Sequence, residues 1–402
     1  MNPRTTMQIV PALVLGLFAG QASASGFQLL EQNASGIGTA YAGSAAVADN
    51  ASTVFYNPAG MTQLQDREIS VGVSAVTPSF KFANGSSNAV VAGDGGDGGS
   101  TRFIPNAYLS AALTKDLYFG LGISSPFGLK TEYDNPWKGG AQSQKFEIRT
   151  VNVNPSLAWR VNDKVSLGFG LNWQKFDAEY QRLASTTDLS PVRLNLDDEA
   201  WGWNAGVLFT LSPSTKLGLA YRSAVKFETT GDINGSTAAK ADLKLPDTFT
   251  ISVAQKLSDR WEMLGDLSRT GWSSMHKVDI FNGTSLTQTL DTDFRNTWRV
   301  ALGANYLLND AWKLKFGIAY DQTPVKGADT RLVSLPDNNR VWLSLGAQWK
   351  LSTSSRIDFG GAYLYLKDAD INNDQTAAGR GLVNGTYKDS IWVFGAQYSQ
   401  SF

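Results

Sequence analysis

The chain has 402 residues, a formal net charge of −1, no cysteine and a single histidine. A near-neutral chain has no overall field that would recruit nucleic acid, and a chain without cysteine forms neither disulfides nor thiolate metal sites. The first residues resemble a secretory signal: Arg4 precedes an apolar stretch that ends in the small-residue motif Ala22-Ser23-Ala24. We therefore predict a signal peptide over residues 1–24 and export of the mature chain.

Residues 25–64 are the only long stretch after this signal that lacks the period-2 pattern of a strand. Glycine and alanine dominate it, and Asn57-Pro58 is a turn signal. The segment is too small to bury a core of its own, and it stands just before a regular series of strands. We predict that it is an internal hatch, or plug, and that residues 65–402 form a transmembrane β-barrel.

From Arg67 onward, alternating strands are separated by turns of two kinds. Six short polar turns, the first at Thr114-Lys115-Asp116, alternate with longer loops, which predicts fourteen antiparallel strands with short turns on the periplasmic side. No apolar run after the signal approaches the ~18–20 residues of a spanning helix, so we expect any spanning element to be a strand. The longer loops are predicted at residues 83–100, 134–141, 183–191, 231–240, 282–287, 325–330 and 371–384.

Alternation within the strands predicts which side chains face lipid. In the predicted strand 294–306, Phe294 and Trp298 share the lipid-facing side, whereas Arg299 faces the lumen. The final strand, predicted over 390–402, ends on an aromatic residue. Its lipid-facing side chains are predicted to be Trp392, Phe394, Tyr398 and Phe402.

Four pieces of the hatch carry a family resemblance: GFQL at 26–29, GIGTAYAG at 36–43, ADNA at 48–51 and YNPAG at 56–60. Their order and spacing resemble the hatch of FadL-type transporters of long-chain fatty acids and hydrocarbons. The terminal Phe402 is similar to the signature read by the barrel assembly machinery. The resemblance implies a passive transporter in the Gram-negative outer membrane, without cofactor or catalysis, surrounded by membrane lipid and lipopolysaccharide.

The same resemblance implies a ligand and a route. Long-chain fatty acids are the leading ligand, and uptake of aromatic or alkane hydrocarbons is the alternative. Ligand would enter between outer loops, occupy a pocket near the hatch, shift the hatch and leave sideways through the wall. A general porin for hydrophilic solutes is a weaker reading, because it would need an open lumen.

Two motifs match positions with a role in the family. Asn57-Pro58-Ala59 matches a motif that holds the hatch inside the barrel. Pro126-Phe127-Gly128 matches an inward kink of the third strand. Within this region the family match itself lies at Phe127-Gly128-Leu129. Because proline cannot donate to a strand ladder and glycine marks irregular backbone, Pro126 and Gly128 predict a bend or gap independently of the resemblance. We predict a lateral portal at this point.

Inward-facing cations are the remaining candidates. Strand parity directs Arg182, Arg340, Arg222 and Arg299 into the lumen. Such arginines are commonly balanced by carboxylates, here Asp266 or Glu262, or they bind a ligand carboxylate bidentately. The resemblance places Arg182 and Arg340 at ligand-binding positions, and we add Phe27 from the matched hatch segment.

Enzymatic and metal sites are not indicated. A Ser-His-carboxylate site would have to use His276, near which no motif marks a nucleophile. The glycine-rich loop 93–99 carries Asp94 and Asp97 but lacks a complete calcium-ligand pattern, so we predict an external loop.

Overall fold

The period-2 pattern that begins at Arg67 folds into one antiparallel sheet in the computed structural model, which describes residues 26–89 and 91–402. The predicted signal peptide lies outside the described residues. Among these residues the sheet has twenty segments. They are β1 (Arg67–Asn84), β2 (Arg102–Ala112), β3 (Leu117–Ser124), β4 (Gly128–Glu132), β5 (Lys145–Asn162), β6 (Val165–Leu183), β7 (Pro191–Ser212), β8 (Thr215–Arg222), β9 (Val225–Ile233), β10 (Thr237–Leu245), β11 (Thr248–Lys256), β12 (Trp261–Thr270), β13 (Lys277–Asn282), β14 (Ser285–Asp291), β15 (Thr297–Leu307), β16 (Trp312–Asp321), β17 (Arg340–Lys350), β18 (Ser355–Leu366), β19 (Ala369–Gln375) and β20 (Gly381–Ser401).

These segments build a closed barrel of fourteen wall strands within the described part of the chain, as predicted. Six wall strands are interrupted, and each contributes two segments: β3/β4, β8/β9, β10/β11, β12/β13, β14/β15 and β18/β19. β1 pairs with β2 on one side and with β20 on the other, so the sheet closes on itself. Closure satisfies the backbone groups that a free edge would leave unpaired in lipid.

The outer face of the wall carries large apolar side chains. The predicted lipid-facing set is exposed: Trp392, Phe394 and Tyr398 on the closing strand β20, and Phe402 directly after it. β20 begins at Gly381, earlier than the predicted start at Ser390, because it pairs with β19 as well as with β18. The alternation therefore predicts the face correctly but not the length.

Three of the predicted long loops are wrong. Residues 231–240, 282–287 and 371–384 belong mainly to hairpins, β9–β10, β13–β14 and β19–β20, with short connections. These strands continue beyond the apolar band, so polar composition there does not mark a loop. The predicted loop 325–330 is instead part of a longer connection, residues 322–339, between β16 and β17.

Phe294 does not face lipid. It precedes β15 and is buried, with its ring 5.8 Å from that of Trp272. Residues 292–296 interrupt the wall strand, and Asp293 has a positive φ of 38°. Because the pleat is broken there, the parity of β15 cannot be extended back to Phe294.

Residues 26–64, here called the hatch segment, contain a 3₁₀ turn Ile37–Thr39, a short α-helix Thr53–Tyr56 and a second 3₁₀ turn Pro58–Gln63. The backbone of this segment lies directly against inward-facing wall glycines. A Cβ at Gly168, Gly218 or Gly317 would overlap the backbone at Ala59, Ala45 or Thr39, respectively. The hatch backbone can therefore lie this close to the wall only because glycine gives the wall no side chain at these positions. Among the described residues, no helix is both long and apolar enough to cross a membrane.

We expect Gly218→Val to displace the hatch segment, because the new side chain would meet the Ala45 carbonyl. The readout is ion conductance in planar bilayers, which should rise above the wild-type level. Gly265→Val is the matched control, because the position of its Cβ has only Leu302 near it, at 4.0 Å. Equal conductance in both variants would contradict this close-packing account.

Candidate ligand-binding site

A cavity of about 290 Å³ lies between the first residues of the hatch segment and the wall. Strands β1, β2, β4, β5, β17, β18 and β20 line it together with residues 26–31. Most of its lining is apolar, which suits a hydrophobic ligand. The apolar lining residues are Phe27, Leu29, Leu30, Val76, Pro78, Phe80, Phe103, Ile104, Leu129, Ile148, Leu335, Pro336, Trp342, Leu364, Leu366 and Ile391.

A buried ion pair forms one end of this cavity. Arg340, the first residue of β17, donates through Nη2 to Asp337 Oδ1 at 2.8 Å and to the Gly26 carbonyl at 3.3 Å. Asp337 Oδ2 in turn accepts from the Gly26 amide at 2.9 Å. Arg340 Nε is buried without a hydrogen-bond partner among the described residues. The pair therefore holds the start of the hatch segment and retains one unused donor.

Glu31 is a second buried acid at this cavity. It belongs to the hatch segment, outside the spanning strands. Burial raises the pKa of its carboxyl above the ordinary value, and the nearby Arg340 guanidinium partly opposes that shift. The folded protein thus binds the proton of Glu31 more tightly than the unfolded chain does.

A smaller cavity of about 80 Å³ lies on the other side of Phe27, which lines both spaces. Its lining is almost wholly apolar and includes Phe176, Phe294 and Leu332. The Phe27 ring packs 4.9 Å from Trp272 and 6.0 Å from Phe127. The predicted ligand residue Phe27 is therefore the wall shared by two apolar spaces.

Arg182 is placed elsewhere. Its side chain is buried, but it lines neither cavity. The guanidinium donates to Gln288 Oε1 at 3.1 Å and to the carbonyls of Leu183 and Ala184 at 2.8 and 3.1 Å. The structure therefore does not bring Arg182 and Arg340 to one ligand position.

Two other predicted lumen arginines contact the hatch segment. Arg299 Nη2 donates to the Ala40 carbonyl at 2.6 Å, and Arg222 Nη2 donates to the Phe55 carbonyl at 3.0 Å. Asp266 likewise accepts from the Ser44 amide at 3.1 Å. Glu262, the other expected counter-charge, accepts from Asn305 at 2.9 Å. Arg299, Arg222 and Asp266 therefore position the hatch backbone, whereas Glu262 bonds to a neighbouring wall strand.

The motif Asn57-Pro58-Ala59 is fully buried. Asn57 Nδ2 donates to the carbonyl of Ala45 at 2.7 Å and to that of Val207, on the wall, at 3.1 Å. Its Oδ1 accepts from the Ala59 amide at 3.1 Å, which starts the 3₁₀ turn. One amide side chain therefore joins two parts of the hatch segment to β7.

The residues Pro126-Phe127-Gly128 lie where the third wall strand is interrupted. β3 pairs with both β2 and β5, but among the described residues β4 pairs only with β5. The β2 residues 102–106 consequently pair with β1 alone, which leaves a gap in the ladder between β2 and β4. The larger cavity reaches this gap, because Arg102, Phe103 and Lys130 line it.

The hatch segment takes the place of the missing ladder. The Leu29 amide donates to the Pro126 carbonyl at 2.8 Å, and the Gly128 amide donates to the Phe27 carbonyl at 3.0 Å. Gln32 donates to the Ser125 carbonyl at 2.7 Å and accepts from its amide at 3.0 Å. The gap is therefore covered from inside by residues 27–32.

His276 contributes no catalytic arrangement. It is exposed and pairs with Asp293 Oδ1 at 3.2 Å near the end of a wall strand. Over residues 26–89 and 91–402, no group of three or more histidine, aspartate or glutamate side chains is placed to hold a metal ion.

A closed barrel with a filled lumen and an apolar internal cavity is the architecture of an outer-membrane transport protein. A family model described as "Outer membrane protein transport protein (OMPP1/FadL/TodX)" matches residues 15–402, and the chain belongs to this family. It is therefore a transporter of the Gram-negative outer membrane and not an enzyme.

Three similar proteins span nearly the whole chain. A long-chain fatty acid transport protein from Escherichia coli O6:H1 is 28% identical, and the match covers 97% of each chain. The crystal structure of a Pseudomonas aeruginosa FadL homologue has a TM-score of 0.87 at 23% identity, covering 94% of this chain and 100% of the other. The Ralstonia pickettii toluene transporter TbuX has a TM-score of 0.68 at 17% identity, covering 93% and 100%. The two structures show the shared fold.

We expect Asn57→Ala to weaken hatch docking by about 2 kcal/mol, because two buried carbonyls lose their donor. Amide hydrogen exchange over residues 26–64 measures this change. Asn57→Asp is the matched variant, because it keeps the acceptor for the Ala59 amide but loses both donations. If Asn57→Asp exchanges like wild type while Asn57→Ala does not, the turn and not the wall contact holds the hatch.

The raised pKa of Glu31 predicts a pH dependence. An acid with a folded pKa above its unfolded value stabilises the fold fully below the unfolded pKa, about 4.3. That contribution is lost as pH rises through the folded pKa. The measurement is protection of the hatch segment against hydrogen exchange, corrected for intrinsic rates. We expect this protection to fall in wild type as pH rises from the unfolded to the folded pKa of Glu31, and to change less with pH in Glu31→Gln. Identical pH profiles would contradict the burial of an ionisable Glu31.

Proposed function

We propose that this transporter takes up hydrophobic compounds, with long-chain fatty acids as its main ligand. The observation that carries the proposal is the larger cavity, which is lined mainly by apolar side chains and has a buried guanidinium, Arg340, at one end. Guanidinium binds a carboxylate through paired donors, and apolar walls hold an alkyl chain. Arg340 Nε has no hydrogen-bond partner among the described residues, so a carboxylate that reached it would satisfy a buried donor.

The same contact provides a route to hatch movement. Arg340 and Asp337 both bond to the backbone of Gly26. A ligand carboxylate that binds Arg340 competes with Asp337 and with the Gly26 carbonyl. Displacement of Gly26 loosens the adjoining residues Phe27 and Leu29, which cover the wall gap. Binding and uncovering of the gap are thereby coupled.

Lateral release through the gap at Pro126-Phe127-Gly128 suits an apolar ligand. Each methylene that passes from water into lipid gains about 0.8 kcal/mol. A path through the wall delivers the chain into the bilayer without exposing it to water along the whole lumen. Membrane lipid and lipopolysaccharide are the surroundings that receive it, and recognition of Phe402 by the barrel assembly machinery remains a prediction about biogenesis.

Uptake of aromatic or alkane hydrocarbons is the second candidate, and the smaller cavity favours it. That cavity offers almost no polar group to a ligand. The resemblance in fold to a toluene transporter is compatible with such a ligand. A general porin is disfavoured by the hatch segment, and a large constitutive conductance of the wild type would support it instead.

The deciding experiment is equilibrium binding of a long-chain fatty acid and of its methyl ester to purified protein. We expect the acid to bind more tightly, and we expect the double variant Arg340→Gln/Asp337→Asn to reduce that preference about tenfold, the value of a charged hydrogen bond. The double variant keeps the pair neutral, so no buried charge is left alone. Since Arg182 lines neither cavity, Arg182→Gln should keep the preference.

Three other results change the conclusion. If acid and ester bind alike in every variant, Arg340 is not a clamp and hydrocarbon uptake is the better account. If only Arg182→Gln reduces the preference, the head group binds at the outer end of β6. If wild type binds neither compound, the proposal fails.

A further inference from the structure

The wall gap is charged where the larger cavity reaches it. Arg102, Lys130, Glu147 and Arg149 line this mouth, on β2, β4 and β5. The other charged lining residues, Glu31, Asp337 and Arg340, lie together at the hatch. An otherwise apolar cavity therefore has two polar ends.

The charges at the mouth do not balance. The Glu147 carboxylate forms ion pairs with three cations, at 3.7 Å from Arg102 Nη2, 3.6 Å from Arg149 Nε and 3.5 Å from Lys145 Nζ. The Arg102 contact crosses from β2 to β5 over the gap. The side chains of Arg102 and Arg149 are 46% and 68% exposed, whereas that of Glu147 is only 12% exposed. Two exposed cations thus lie around one largely covered carboxylate.

The neighbouring charges leave this excess in place. Lys130 pairs with Glu132, Lys145 also pairs with Glu179, and Arg193 pairs with Glu179. Glu132 and Glu179 therefore already have cation partners of their own. Arg102 and Arg149 have no carboxylate partner other than Glu147 among the ion pairs of the described residues.

The height of the mouth in the membrane follows from β5. Its outer face carries exposed Trp159, Leu157 and Val151, and Arg149 follows at the next outward position. Ten residues separate Trp159 from Arg149. At ~3.3 Å per residue and a tilt near 40°, they rise roughly 25 Å, the height of the apolar band. With Trp159 at the periplasmic interface, Arg149 lies at the head-group level of the outer leaflet.

We propose that Arg102 and Arg149 form an anion subsite at the wall gap, which receives the carboxylate of a ligand while its chain passes into the outer leaflet. This inference rests on the proposed function and deepens it. The chain gains by entering hydrocarbon, but the carboxylate does not, because an unpaired charge in a medium of low dielectric constant is strongly disfavoured. Glu147 is the resident anion that the ligand carboxylate replaces. The subsite makes lateral release selective for anionic amphiphiles.

The test is uptake by cells in which this protein is the only transporter of its family. The probes are labelled hexadecanoic acid and hexadecanol, which share a chain and differ in charge. We expect Arg102→Gln/Arg149→Gln to lower the ratio of acid to alcohol uptake about fivefold, the effect of losing two partly exposed charge contacts. The matched control is Lys226→Gln/Lys277→Gln, which removes the same charge from exposed side chains that do not line the cavity.

The outcomes separate the two proposals. Loss of acid uptake alone supports the subsite. An unchanged ratio overturns it and leaves fatty acid uptake standing; altered co-purification of lipopolysaccharide would then assign the cations to outer-leaflet phosphates. If wild type takes up neither probe, both proposals fail.

Should the double variant not reach the membrane, the variant Glu147→Gln is used instead. A ratio of acid to alcohol uptake that rises about twofold supports the subsite, and an unchanged or lower ratio overturns it.

Discussion

The structure depends on one constraint, the pairing of backbone N–H and C=O groups in a hydrocarbon environment that offers no water. The wall meets it by closing β1 on β20. Beside the gap between β2 and β4, other groups bond to the backbone of residues 125–128. Phe27, Leu29 and Gln32 pair with residues 125–128 from inside, and Thr150 exchanges two bonds with Phe127, at 2.7 and 3.0 Å. The backbone of the interruption is thus paired although the ladder is broken there.

The first residues of the hatch segment therefore contact three features at once: the buried ion pair, the two cavities and the wall gap. Gly26 binds the Arg340–Asp337 pair, Phe27 separates the two cavities, and Phe27 with Leu29 covers the gap. A change at the buried ion pair therefore reaches the wall through only a few peptide units. The rest of the segment is fixed separately, by Asn57 and by close contact with wall glycines. A movement confined to the first residues is compatible with this division.

The proposed path of the ligand, from the hatch segment to the wall gap, passes polar and apolar regions in turn. The buried pair at the hatch can hold a carboxylate, the apolar cavities hold a chain, and the cations of the gap lie at head-group level. In the low dielectric constant of the interior each buried charge needs a partner. Both polar ends contain a resident carboxylate, Asp337 or Glu147, that a ligand carboxylate can replace. Exchange of one anion for another avoids leaving an arginine unpaired at any stage.

The motifs of the hatch segment carried the family resemblance. The sequence by itself also determined the number of wall strands and the outward face of β20, because period-2 alternation and turn spacing are local properties. It also located the interruption at Pro126 and Gly128, since proline cannot donate to a ladder. Tertiary structure alone decided which residues meet. Strand parity directed both Arg182 and Arg340 inward, yet only Arg340 reaches a cavity, because parity gives a direction and not a neighbour. Phe294 was misassigned and Trp272 was missed because they lie in interruptions, where the pleat that carries parity is broken. The charged mouth was missed because Arg102 and Glu147 lie on wall strands that do not pair with each other.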